Sequence, residues 1–156
     1  MGISMRRKEK EIKDFKSIEK IILKAKVCRL GLSLNNTPYI VPLSFGYKDK
    51  TIYLHCAKQG KKVDILKQNN NVCFEFDIGY ALEVSEKACD WGIKFQSVIG
   101  LGTASFIENI EAKREGLDII MQNYTDKTFE FPEKNVNGAM VIKIDIEEIS
   151  GKQSGY

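Results

Sequence analysis

CRLGLSLNNTPYIVPLSFGYKDKTIYLHCA, residues 28–57, decides the fold. It contains three short β-rich runs, CRLGLSL (28–34), YIVPLSFGY (39–47) and TIYLHCA (51–57), separated by NNTP and KDK. Asn35-Asn36 and Asp49 are turn formers, so the spacing predicts antiparallel strands joined by hairpins. Pro42 cannot donate to a ladder, which puts the second run at an edge, at a bulge or beside a ligand.

The pattern extends in both directions. Upstream, Ser17 reads as the cap of a short helix whose apolar positions Ile18, Ile21, Ile22 and Ala25 follow the 3.6-residue period. Downstream, residues 60–70 read as a helix with Val63 and Leu66 on one face. NVCFEFDI (71–78) is a further strand, and ALEV (81–84) extends the meander. A loop through Glu86 to Trp91 leads to IKFQSVIGLGTASFIE (93–108), which is β-branched and long for a loop. Asn109 caps a helix, IEAKREGLDIIMQNY, with Ile110, Leu117, Met121 and Tyr124 facing inward and Gly116 weakening it. GAMVIKIDIEEI (138–149) alternates as a half-buried strand, with Met140, Ile142, Ile144 and Ile146 on one face. The result is a mainly β class: six or seven antiparallel strands in a small barrel, with peripheral helices and no internal repeat. Closure of the sheet removes exposed edges.

A length of 156 residues with 43% hydrophobic residues fits one domain with an ordinary core. The expected division is a basic N-terminal arm, 1–16, and a single domain, 17–156. The net charge of +3 is unevenly spread. Residues 1–26 hold nine Lys/Arg against four Asp/Glu, and the rest of the chain is slightly acidic. Such an arm reads first as a solvated leader. The body lacks the basic character of a dedicated nucleic-acid binder, so no nucleic-acid partner is expected. No run approaches the roughly 20 apolar residues of a membrane span, and MGISMRRKEKEIKDF has no apolar h-region. No membrane partner is expected, and the location expected is cytoplasmic. Cys28, Cys56, Cys73 and Cys89 lack metal-ligand spacing and read as small buried hydrophobes in a reducing compartment. No metal site is expected from one histidine and scattered thiols.

Three stretches could carry chemistry. The first is LHCAKQGKKVDILKQN (54–69), which holds the only histidine, His55, at a strand end. Lys58, Gly60, Lys61 and Lys62 follow at the start of a helix, whose free N–H groups and dipole favour an anion such as a phosphate. A lysine-rich surface turn would look the same. The second is FQSVIGLGTA (95–104), where Gln96, Val98, Gly100, Gly102 and Ala104 share one face. Glycines inside a strand suggest a planar ligand or another backbone close by, or simply a barrel bend. Gln96 and the Ser97 hydroxyl could bond a ligand's polar edge. The third is VPLSFGY (41–47), where Pro42 and Gly46 interrupt the ladder and free peptide groups for another partner. No triad, GxSxG, P-loop or GxGxxG is present.

In order and spacing, RLGLSLNNTPYIVPLSFGY, LHCAKQGKKVDIL, CDWGIKFQSVIGLGTA and ISGKQS resemble the pyridoxamine 5′-phosphate oxidase-like FMN-binding split barrels. The nitroimidazole-resistance type is the most similar. The resemblance spans roughly residues 5–154. It rests most on HxAxxGxK (His55, Ala57, Gly60, Lys62) and the (Y/F)xSVxGxG-like strand at 95–102. It implies an FMN-binding split barrel acting as a homodimer with two interfacial FMN sites. Val41, Pro42, Leu43, Ser44 and Phe45 would lie along the flavin ring. His55, Lys58, Lys61 and Lys62 would bind the cofactor around its phosphate and the active-site mouth, with His55 also the catalytic candidate. Gln96 and Ser97 would reach in from the partner. Glycines 100 and 102 would give clearance to the cofactor or the interface.

The implied activity is reduction of a small molecule, with a nitroaromatic such as a 5-nitroimidazole as one acceptor and NAD(P)H as a donor to test. Imidazole titrates near neutrality, which suits His55 to proton donation or substrate orientation. Oxidation of pyridoxamine phosphate itself is not expected, because the true oxidases hold the substrate phosphate with additional basic residues and GKQSGY, with Lys152 as its single cation, does not match them. The alternatives are a flavin-binding or redox-sensing module without catalysis, and a haem-binding barrel with His55 as axial ligand.

Overall fold

The computed structural model describes residues 5–156. A short strand, β1 (Glu11–Ile12), precedes helix α1 (Phe15–Lys24). Then come β2 (Cys28–Leu34), β3 (Thr37–Leu43), β4 (Phe45–Lys48), β5 (Thr51–Ala57) and helix α2 (Lys61–Gln68). Long strands β6 (Asn71–Glu83) and β7 (Gly92–Ile107) follow, then α3 (Ile110–Gln122), α4 (Glu133–Gly138) and β8 (Ala139–Ser154). All pairings are antiparallel, in the order β3-β2-β6-β7-β8-β5-β4, with β1 laid on β8.

The mainly β architecture with peripheral helices is the one expected, and its seven-stranded path is reached by a different division of the chain. The 39–47 run is two strands that separate at Ser44 and sit at opposite ends of the sheet. Residues 71–78 and 81–84 are one strand, kinked by a bulge between Ile78 and Ala81. The sheet curls until its two edges meet covalently through Ser44, and no β3–β4 ladder closes them among the described residues. That gap is the split of the barrel, and Pro42 lies on its edge strand β3, which among the described residues pairs only with β2.

Inside, alternate residues make one core. Leu30, Phe45, Ile52, Leu54, Phe74, Phe76, Val98, Ile142 and Ile144 are fully buried, capped by Ile18, Ile21 and Ile22 of α1. Each such side chain contributes about 1.5–3 kcal/mol on burial. The rings of Phe45 and Phe76 lie 4.7 Å apart. Both hairpin turns form as expected, with Asn35-Asn36 and Asp49-Lys50 at positive φ.

Several expectations shift. Asp14, not Ser17, caps α1, because its carboxylate accepts the Ser17 N–H at 3.0 Å and the Ser17 hydroxyl at 2.8 Å. Asn109 caps α3 as expected, accepting the Ala112 N–H. The buried face of α3, however, is Lys113, Gly116, Ile119 and Ile120 rather than Ile110, Leu117, Met121 and Tyr124. Close approach sets that rotation: a Cβ on Gly116 would stand 3.0 Å from Val141, and one on Gly46 would run into the backbone of Ile119 and Ile120. The strand starting at 138–149 continues to Ser154, so GKQS is sheet rather than tail. Cys28 is buried as expected, but Cys73 and Cys89 are exposed. Part of the basic arm packs on the body: Ile12 is buried, and the Lys10 ammonium donates to Ser154 at 2.7 Å. Residues 1–4 of that arm lie outside the described residues.

Candidate functional site

The split collects one group of the expected residues. Tyr39, Val41 and Leu43 turn their side chains to the core, while Pro42 and Ser44 are exposed. Phe45 is fully buried, and its N–H donates to the Tyr124 hydroxyl at 2.9 Å. Pro42 has no N–H and Phe45 has spent its own. As an edge, β3 nonetheless has no strand partner on one side among the described residues, and Ser44 is exposed.

The second group lies at the start of α2. Gly60, at φ 133°, precedes the helix without any side-chain cap, and its carbonyl accepts the Val63 and Asp64 N–H groups. Nothing lies within 4 Å of where a Gly60 side chain would begin. Lys58 and Lys61 are exposed and Lys62 is half-buried. The Lys61 ammonium sits 4.7 Å from the centre of the Tyr39 ring, tying this junction to β3. Lys62 lies near Cys56, where its charge opposes the rise that burial imposes on the thiol.

His55 is exposed near the end of β5, opposite Val141 of β8. Ile52 and Leu54 face the core, so His55 leaves on the other face with Tyr53, which packs near Gly116 of α3. His55 and Cys56 therefore flank the strand, with the lysine junction a short turn away.

Gln96 and Ser97 are neighbours with opposite outlooks. Gln96 turns to Gln153 at 3.4 Å, whereas Ser97 lines a groove on the outer face of the sheet. Gly100 and Gly102 do not give clearance to a cofactor. A side chain at Gly100 would overlap Phe74, and one at Gly102 would meet Ile144 and the Asp145 carbonyl. They are core positions, narrowed so that a large ring fits beneath β7.

The outer groove was not foreseen. It encloses about 690 Å³ along Tyr80, Leu82, Ile93, Phe95 and Ser97, with Arg29, Glu75 and Asp77 at one end. Arg29 bonds Glu75 at 3.1 Å and also Asp77. Burial raises the Glu75 carboxyl above its ordinary value, Asp77 pushes it the same way, and Arg29 opposes both. Arg29 and Glu75 meet only because β2 pairs β6 in the register that sets them opposite each other. A second groove, about 530 Å³, continues the face past Ile40, Cys73 and Leu101. These grooves include Ser97 but not the 41–45 step, His55 or the lysine junction.

A family model described as pyridoxamine 5′-phosphate oxidase matches residues 14–153. The chain belongs to that family. A candidate 5-nitroimidazole antibiotic resistance protein from Bacteroides thetaiotaomicron is 38% identical, with TM-score 0.83 over 92% of this chain and 86% of its own. The flavocytochrome Anf3 from Azotobacter vinelandii (20% identity, TM-score 0.85) aligns over 98% of this chain and 73% of its own. An FAD- and haem-binding protein from Mycobacterium smegmatis (16% identity, TM-score 0.85) aligns over 94% and 74%. These last two share the fold. No curated protein matches the sequence.

Within this pyridoxamine 5′-phosphate oxidase-family barrel, the split carries groups whose chemistry suits an anion and a hydrogen-bonding edge. It has an uncapped helix start, three lysines, open space beside Gly60 and an unpaired strand edge. Among the described residues no cluster of His, Cys, Asp and Glu could hold a metal ion, and no helix is long and apolar enough to cross a membrane.

Proposed function

We propose that this chain is a cytoplasmic, homodimeric FMN-dependent oxidoreductase that reduces a small molecule, drawing electrons from NAD(P)H. The observation that carries the reading is the contact of Lys61 with Tyr39, which sets the cationic start of α2 beside β3, the edge strand. FMN requires an anion site and a peptide edge together. Bound there, it would supply the redox chemistry. Lys58, Lys61, Lys62 and the first amides of α2 neutralise the phosphate, while Ser44 and the outer edge of β3 orient the ring system. His55, exposed near the end of β5 a short turn before that junction, is the side chain placed to donate a proton to the substrate or to orient it.

The homodimer is supported by the outer face of the sheet. Ile40, Leu82, Ile93, Ile99 and Leu101 are all exposed there, an apolar surface of the sort that covers a partner. That Ser97 of the second copy reaches the first copy's FMN site is what the family resemblance implies, and Ser97 lies on this same outer face. Similarity to the Bacteroides protein makes a 5-nitroimidazole the acceptor to try first.

The test is an absorbance titration of the purified protein with FMN, followed by anaerobic turnover with NAD(P)H and a nitroimidazole. Saturable binding and acceptor-dependent oxidation of the nicotinamide are expected, with turnover lost in His55→Ala while FMN affinity holds. A protein that never takes up FMN sinks the proposal. FMN uptake without turnover reduces it to a binding module.

A further inference from the structure

We infer that residues 80–94 form an arm that grips a second copy of this chain, with its apolar front closed by the partner and Trp91 as its anchor. The inference rests on the homodimeric reading above and adds which element holds the two chains together. β6 has β2 beside it only at Cys73–Glu75, and β7 parts from β8 at the Phe95–Ser154 pair. Beyond those pairs the two strands have only each other among the described residues, Ala81 with Lys94, Leu82 with Ile93 and Glu83 with Gly92. A lone two-stranded hairpin is marginal in water, so this one depends on what covers its faces.

The two faces are unlike. On the back, the chain supplies its own cover. The Tyr156 hydroxyl donates to the Gly79 carbonyl at 2.8 Å, and the Lys94 ammonium stands 4.0 Å from the centre of the Tyr156 ring. A Cβ at Gly155 would meet Glu83 and Lys94. These contacts hold the bulge at Gly79, where φ is 66°, and with it the direction of the arm. On the front, alternation sets Leu82 and Ile93 on one side, with Val84 and Trp91 beyond them. Tyr80 opens on the same groove as Leu82 and Ile93. All five are more than half exposed, and none carries a charge. The Trp91 indole N–H donates to the Ser85 carbonyl at 2.6 Å, so the ring can lose its water without stranding a donor.

Three observations select a second copy as the cover. The front is continuous, through the groove of about 690 Å³, with Ser97 and the sheet face on which Ile99 and Leu101 are exposed. A two-fold interface sets one patch against itself, which an uncharged apolar front satisfies and a front of one charge does not. Area decides the rest. The five arm side chains together with Ile40, Ile99 and Leu101 expose an area on the order of 800 Å², the share of one partner in a standard interface. Ile40, Ile99 and Leu101 alone fall well short of it.

Trp91 is the only tryptophan in the sequence, so its emission reports on the arm. The experiment compares wild type, Val84→Glu and Leu101→Glu by light scattering after gel filtration and by acrylamide quenching of the tryptophan. Val84 is the most exposed of the five, and its replacement leaves the core untouched. Wild type should show twice the chain mass and a shielded indole. Val84→Glu should weaken the dimer about tenfold or more, because the partner would have to desolvate the new carboxylate. In Leu101→Glu, which is altered on the sheet and not on the arm, the released indole should be quenched several-fold more readily than in wild type. The inference is overturned if Val84→Glu dimerises as wild type does, or if Trp91 is quenched equally in the dimer and in the Leu101→Glu monomer. The homodimer would then stand on the sheet face without the arm. Wild type at the single chain mass would overturn the homodimeric reading together with the arm, and shielding of Trp91 gained on phosphatidylcholine vesicles would then name lipid as the cover.

Discussion

The ring of Phe74 fills the space above Gly100 on the inner face of the sheet. A Cβ at Gly100 would overlap that ring and stand 2.7 Å from the Glu148 carbonyl oxygen. Gly100→Ala should therefore destabilise the fold by about 1–3 kcal/mol, the range for overpacking a dense core. Denaturant melts check this. Because the position is remote from the split, FMN affinity at a temperature where the variant is folded should stay near wild type.

The lysine junction makes a different kind of claim, about one part of the ligand. Replacing both Lys61 and Lys62 by alanine should weaken FMN about tenfold or more, since a hydrogen bond to a charged group contributes about 1.5–3 kcal/mol. Riboflavin, which lacks the phosphate, should lose almost nothing. Parallel titrations of the two flavins at low and high salt measure it, with the FMN preference fading as salt rises. An equal loss for both flavins would move the phosphate elsewhere.

Much of the scaffold was legible in local pattern. The Asn35-Asn36 and Asp49-Lys50 turns and the alternation of β5 and β8 depend on near neighbours alone. The split did not show itself, because VPLSFGY reads as a single run. What divides it at Ser44 is that Phe45 pairs with Leu54 while Leu43 pairs with Cys28, a choice made by distant strands. The rotation of α3 was hidden for the same reason: only the packed sheet shows that Gly116 marks its contact face.

The candidate site was legible where it is contiguous, as at 58–62, and not where it is assembled. Gly100 and Gly102 signalled a close approach correctly, but a glycine does not reveal which neighbour comes close, and here it is Phe74 and β8. Helical spacing sets Tyr124 among the residues that face inward from α3; its hydroxyl instead meets a backbone N–H 79 residues away, for which no spacing rule exists.

Arg29 carries a pH-dependent share of stability. Burial and Asp77 raise the Glu75 carboxyl, so between the ordinary carboxylate value and the raised one the folded chain holds more protons than the unfolded chain. Stability then falls as pH rises through that window. Arg29 limits the fall. Arg29→Gln should cost at most about 1 kcal/mol at pH 7, as expected of a part-exposed ion pair. The cost should shrink toward about pH 4, where carboxyls begin to take up protons. Melting curves of both proteins from pH 4 to 8 should converge at the acid end; a gap independent of pH would show that Arg29 acts by packing alone.

The outer face yields the last prediction. Ile99 and Leu101 stand on β7 on the same side as Ser97, and each is more than a third exposed in the single chain. An apolar strand face of this kind, continuous with two grooves, should be buried against a second copy. Leu101→Glu adds a charge where a partner would have to desolvate it, a cost of several kcal/mol for an unpaired ion. It leaves the inner core untouched. Light scattering after gel filtration should give twice the chain mass for wild type and the single chain mass for the variant. If the two subunits build each FMN site, the monomeric variant should also lose FMN affinity even though every residue of the split is intact. A variant that is monomeric yet binds FMN as tightly as wild type would place the whole site within one chain, and Ser97 of the partner would have no part in it.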